Sequence, residues 1–214
     1  MKFKIRIWDV FSLLMITIST AGLCLSGCHR NIRSDQPADS SAPRQSAMKA
    51  AHSIDHMAPC PLPKTGQKRR FMAGDDGYLR AGEAWPAPRF VENGNGTVTD
   101  SLTGLMWTRN ADQANGTADW EQAVSRAGSC REGNFTDWRL PNRYELESLL
   151  DLGKFNPALP EGTPFKDVQP SYYWTSTSTA NSEDDAWVIH FYTGFVAKDD
   201  KAGTHHVWYV RGGL

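Results

Sequence analysis

The chain has 214 residues, enough for one well-cored domain plus appendages. Its formal net charge of −1 hides a split: residues 1–57 hold seven Lys/Arg against four Asp, and the remainder sixteen Lys/Arg against twenty Asp/Glu, a net of −4. A domain at −4 excludes a global basic footprint for DNA, RNA or heparin-like polymers, so no nucleic-acid partner is expected.

The first predicted element is an export signal, residues 1–27. "MKFKIR" is a basic flank and "VFSLLMITISTAGLCL" an apolar run. It ends in "LSGC", Leu25 to Cys28, which resembles the lipobox of bacterial lipoproteins. That resemblance implies cleavage before Cys28 and acylation of its thiol and new amine. The protein would then be exported and held to a membrane by acyl chains. His29, not Asp, follows the cysteine, which favours the outer membrane, facing the periplasm or the cell surface.

Residues 28–57 are rich in Ser, Ala, Pro and Gln without a sustained period, and read as a disordered tether. His52, His56 and Cys60 have helical metal-ligand spacing, but the segment is polar and gives little reason for a stable helix, so no metal is expected. With Cys24 removed and Cys28 acylated, Cys60 and Cys130 are left in an oxidising compartment. A disulfide between them is the simplest use, with a pair of buried thiols as the alternative. Closing a loop of about 70 residues would stabilise the fold by roughly 4 kcal/mol in the chain-entropy model.

The folded domain is expected over 58–214. "RFVENGNGTVTD" reads as a hairpin, with Gly94 and Gly96 supplying positive φ, and "LMWT" as a third strand. The Asn/Asp-rich turn fails as a calcium loop, because its first and last ligand positions fall on Val91 and Leu102. "TADWEQAVSRAG" predicts a helix capped by Thr117 and ended by Gly128, with Trp120, Ala123, Val124 and Ala127 as its apolar stripe. "PNRYELESLLDLG" predicts a second, with Asn142 and Glu145 at capping-box spacing, Leu146, Leu149 and Leu150 buried, and Gly153 as its stop. "YYWTSTS", "AWVIHFY", "GFVAKD" and "HVWYVRGG" read as strands, with Thr193-Gly194 a tight turn. The order implies an α+β domain with a mostly antiparallel sheet.

Together "AGDDGYLRAGEAWPAPRF", "NGNGTVTDSLTGLMWTRNA", "DWRLPNRYELESLLD", "FNPALP", "YYWTSTS", "DDAWVIHFYTG" and "WYVRGG" resemble, in order and spacing, the Lcl C-terminal domain family of exported bacterial domains. The resemblance runs from about Cys60 to Leu214. It implies a C-type-lectin-like or formylglycine-generating-enzyme-like fold that displays variable loops, and an adhesin-type role. The named adhesin of that family binds sulfated glycosaminoglycans, and a net charge of −4 argues against transferring that ligand.

Catalytic signals are thin. G-x-S-x-G and H-E-x-x-H are missing from the sequence. His190 falls in a strand pattern, and His205 and His206 are adjacent, so alternation sends them to opposite faces; one could meet Asp184 or Asp185. Asp137, Arg139 and Asp100 are expected to tie loops to the core by charge-assisted hydrogen bonds, with Trp138 beside them. Trp107, Trp174 and Trp187 are expected in the core. Residues 178–206, with "TANSEDD" and "AKDDKAGTHH" as loops, are left as the recognition surface, with Tyr192, Lys198, His205 and His206 as its ligand-binding residues. The expected function is therefore a non-enzymatic lipoprotein, without cofactor, that binds a glycan or protein. A structural envelope component without a soluble ligand and an enzyme of the formylglycine-generating type are the alternatives.

Overall fold

A computed structural model of the chain describes residues 62–213, all within the compact unit Ile54–Leu214. The signal segment, Cys28, the tether and Cys60 lie outside the described residues. The described chain is α+β, with two antiparallel sheets and few short helices, the class its sequence implies.

The first sheet begins with β1 (Phe90–Glu92), β2 (Thr97–Asp100) and β3 (Met106–Thr108). The Asn-Gly-Asn-Gly stretch reverses the chain between β1 and β2, with Gly94 at φ 77° and Gly96 at φ 83°. A Cβ on Gly96 would meet only the tip of the flexible Glu132 side chain, which can move aside, so it is the positive φ rather than space that calls for glycine there. The second sheet is a meander of β4 (Tyr172–Thr179), β5 (Ser182–His190) and β6 (Phe195–Asp200). The last strand, β7 (Val210–Arg211), returns to pair with β3 and completes the order β1-β2-β3-β7.

Among the described residues three α-helices accompany these sheets: α1 (Asp76–Leu79) before β1, and α2 (Trp120–Ala127) and α3 (Arg143–Ser148) between β3 and β4. The cap of α2 is Asp119, whose Oδ1 accepts from Gln122 N at 2.8 Å, and not Thr117. Ala118 is held extended by a backbone pairing with His205, so the helix starts only after it. Ala123 and Ala127 are buried, whereas Val124 is 40% exposed at the rim of a cleft. The capping box on α3 is formed in both directions: Asn142 Oδ1 accepts from Glu145 N at 2.9 Å, and Glu145 Oε2 accepts from Asn142 N at 2.8 Å. This helix stops at Ser148, short of Gly153: the Leu149 and Leu150 amides close tight turns onto Leu146 O and Glu147 O, and the next amides leave it. Asp151 N donates to Ala158 O and Leu152 N to Thr65 O.

Two apolar clusters form the core. Val98 and Trp107 from the first sheet, Tyr173 and Ile189 from the second, Leu146 in α3, and Leu149 and Leu150 just after it close around Trp208. The Trp208 ring lies 4.7 Å from Phe165, 5.6 Å from Phe191 and 5.8 Å from Trp107, and its indole N–H donates to Thr108 O at 2.8 Å. The second cluster sets Trp138, Trp174, Val188, Val207 and Tyr209 against the alanines of α2. Both clusters lie wholly inside the unit Ile54–Leu214, which has the complete core expected of a domain that folds alone.

Candidate functional site

Strand alternation builds a strip of rings on one face of the second sheet. The register sets Tyr172 opposite His190, and His190 opposite Phe195. Tyr172 and Tyr173 therefore point to opposite faces; Tyr173 enters the core while Tyr172 is half-buried. Successive centroids run Phe155 to Tyr192 at 6.2 Å, Tyr192 to His190 at 6.2 Å, and His190 to Tyr172 at 4.5 Å. The strip continues from Tyr172 to His205 at 5.6 Å and from His205 to buried Trp174 at 4.5 Å. Phe155 is 72% exposed and Tyr192 39%, so the row descends from solvent to the core. Such a row offers ring faces and edges to an apolar face of a ligand, with imidazole nitrogens between them.

His205 is held firmly within this row. Its backbone pairs in both directions with Ala118, and Nε2 lies 2.8 Å from Asp199 Oδ2. Burial pushes its pKa down from the ordinary histidine value, and the Asp199 carboxylate opposes that shift. The imidazole therefore tends to be neutral at pH 7. His190 Nδ1 stands 3.2 Å from Thr193 Oγ1 in the turn that follows β5.

The four residues assigned to recognition do not gather at one place. Tyr192 and His205 belong to the ring strip, but His206 turns the other way, with its ring 5.4 Å from Tyr173 and Nδ1 3.4 Å from Asp112 Oδ1. Lys198 sits opposite Trp187, on the reverse face of the sheet from Asp199, and pairs with Asp185 at 2.7 Å. The histidine partners are Asp199 and Asp112, not Asp184 or Asp185. Nor are "TANSEDD" and "AKDDKAGTHH" loops over their length: Ser182–Asp185 and Ala197–Asp200 lie within β5 and β6. Tyr172 and Phe155 escaped the sequence reading. Alternation against His190 could have found Tyr172, whereas Phe155 arrives from outside the sheet.

Among the structural tryptophans, Trp107, Trp138 and Trp174 are buried, but Trp187 is only half-buried, its ring covered by the Arg143 guanidinium at 4.3 Å. Asp137 takes two hydrogen bonds from Arg211, at 2.7 and 3.2 Å, which hold its carboxyl below the usual carboxylate range. Arg139 forks onto Glu145 at 2.7 and 2.6 Å and reaches Gly212 O at 2.8 Å, so its charge is reinforced. These charges join the 137–139 segment to α3 and to the chain end. Arg89 and Asp100 form a buried fork, at 3.0 Å on both arms.

A cleft of about 370 Å³ opens between α2 and α3, over Val124 and Trp138, and its polar rim of Arg139, Asn142 and Glu145 is already engaged in the capping and fork bonds. Among the described residues, three or more His, Cys, Asp or Glu side chains do not cluster as a metal site. The Cys130 thiol is half-buried and forms no disulfide among the described residues; burial pushes its pKa up. Its Sγ lies 3.7 Å from Gln113 Oε1. Among the described residues no helix is long and apolar enough to cross a membrane.

The family model of the Lcl C-terminal domain matches residues 96–211, more than half of the chain, from the end of the first hairpin turn through β7. No curated protein matches the chain.

Proposed function

Because the chain belongs to the Lcl C-terminal domain family, we propose that it is an exported bacterial lipoprotein that presents a binding module and performs no turnover. Acylation at Cys28, after the "LSGC" sequence, anchors it to the outer membrane, and residues 28–57 act as the tether. A Cys60–Cys130 disulfide staples the start of the domain to the end of α2. The fold is of the C-type-lectin-like kind, a rigid core that displays a binding face.

The observation that supports binding best is the half-exposed row Phe155–Tyr192–His190–Tyr172. Stacked rings favour the C–H face of a sugar or an apolar protein segment, so the ligand is a glycan or a protein at the cell surface. Tethering raises the effective concentration of a weak binder at that surface. A glycan array probed with the unit Ile54–Leu214 tests the reading. Binding of a defined glycan, lost on Tyr192→Ala and kept on Lys198→Ala, is expected. Catalytic turnover that disappears on His190→Ala would replace this function by an enzymatic one.

A further inference from the structure

A second surface lies at residues 62–80, outside the span that the family model matches. This stretch holds five of the twelve large apolar side chains exposed among the described residues: Leu62, Phe71, Met72, Tyr78 and Leu79. It also holds Lys64, Lys68, Arg69, Arg70 and Arg80 against only Asp75 and Asp76, a net of +3. The rest of the described chain has eleven Lys/Arg against eighteen Asp/Glu, a net of −7. Charge is thus strongly separated, and the cationic part coincides with the apolar one.

The loop is built to hold Phe71 and Met72 outward. One Asp75 oxygen accepts from Phe71 N at 2.7 Å and Met72 N at 3.2 Å, and the other caps α1 by accepting from Tyr78 N at 2.8 Å. Asp76 is occupied by the Thr65 hydroxyl. Gly77 lets α1 lie against the Arg69 backbone, where a Cβ would stand 2.0 Å from Arg69 O. Arg69 and Arg70 lie over the rings of Phe71 and Tyr78, at 4.7 and 4.4 Å, so cations flank the apolar tip. Both acids of the stretch are therefore spent on holding its shape, while Lys68, Arg69 and Arg70 are exposed.

We infer that residues 62–80 form a docking face for an anionic lipid surface. Phe71 and Met72 enter the headgroup layer, and Lys68, Arg69 and Arg70 meet lipid phosphates with their stems along the apolar boundary. The −7 remainder is repelled by the same surface, which orients the domain. This docking does not need the acyl anchor at Cys28, so it is tested without it.

The unit Ile54–Leu214 is sedimented with vesicles of phosphatidylcholine and phosphatidylglycerol at seven to three, and with phosphatidylcholine alone. Binding to the anionic vesicles only, weakened by salt, is expected. Each Lys or Arg near such a surface contributes roughly fivefold in affinity, so Lys68→Gln/Arg69→Gln/Arg70→Gln should lose roughly 100-fold. Phe71→Ser/Met72→Ser should also release the protein, while Tyr144→Ser, at an exposed aromatic elsewhere, should not. Thermal melting shows that each variant is folded. Lack of vesicle binding by the folded wild type, equal binding to both vesicle types, or capture by soluble heparin in preference to vesicles would each overturn the inference.

Discussion

Replacing Asp100 by Ala removes the carboxylate from a buried guanidinium. Arg89 gives Nε and one terminal nitrogen to Asp100, both at 3.0 Å, and that nitrogen also reaches Ser148 O at 2.6 Å. The two side chains are 5% and 0% exposed, and Trp85 and Phe90 face the guanidinium at 4.8 and 4.7 Å. Asp100 also accepts from Leu102 N and Thr103 Oγ1, which fixes the turn into β3. The variant therefore leaves a buried charge unpaired and frees that turn. Breaking one partner of a buried ion pair costs about 3–5 kcal/mol, and the lost turn bonds put this case near the upper end. For a domain of this size, that lowers Tm by roughly 8–20 °C. Urea unfolding of wild type and variant measures it, with an unchanged slope as the sign that compactness is kept. The double variant Arg89→Met/Asp100→Leu removes both charges and should recover most of the loss. A cost below about 1 kcal/mol for Asp100→Ala would refute the reasoning.

Three further outcomes are expected. His205 has its folded pKa lowered by burial, so above about pH 6.5 the ring is neutral in both states and contributes no slope. Below that, the unfolded chain binds a proton that the folded one resists, and stability falls with pH until the folded pKa is reached. The difference between wild type and His205→Gln, followed by urea unfolding from pH 7.5 to 5, should show this slope; a flat difference contradicts it. Asn142→Ala, which removes one half of the capping box, should cost about 1 kcal/mol, and Glu145→Ala more, because it also frees Arg139. Chemical denaturation ranks the two, and an equal or reversed order counts against the shared role of Glu145. Mass spectrometry of non-reduced peptides from the exported protein should find Cys60 joined to Cys130; two free thiols there would remove the staple from the account.

Local chemistry made much of the fold legible. The Asn-Gly pairs, the Asn142–Glu145 spacing and the period-2 runs act over a few residues, and they gave the hairpin, the start of α3 and the strands. What depends on distant partners was less visible. The end of α3 is decided by Thr65 and Ala158, and the start of α2 by His205, each far away along the chain. Trp187 looked like core because tryptophan usually is; a cation on α3 shields it in place of apolar neighbours. At the site, alternation separates His205 from His206, which already divides the set of Tyr192, Lys198, His205 and His206, whereas the place of Lys198 depends on the β5–β6 register. Phe155 joins the strip through a tertiary contact that no periodicity encodes. The Arg89–Asp100 fork was missed from the arginine side, since nothing in the local pattern marks Arg89 as buried.

The central claim is that the exposed ring row is the binding face. Its most direct test is whole-cell binding by the labelled unit Ile54–Leu214, comparing wild type with Phe155→Ala/Tyr192→Ala. Both side chains are exposed, so the variant should melt within a few degrees of wild type. Aromatic contacts contribute about 0.5–1.5 kcal/mol each, so losing two rings corresponds to a fall of at least about fivefold in affinity. Saturable binding by the wild type and that fall in the folded variant are expected. Equal binding by the two proteins would contradict the central claim.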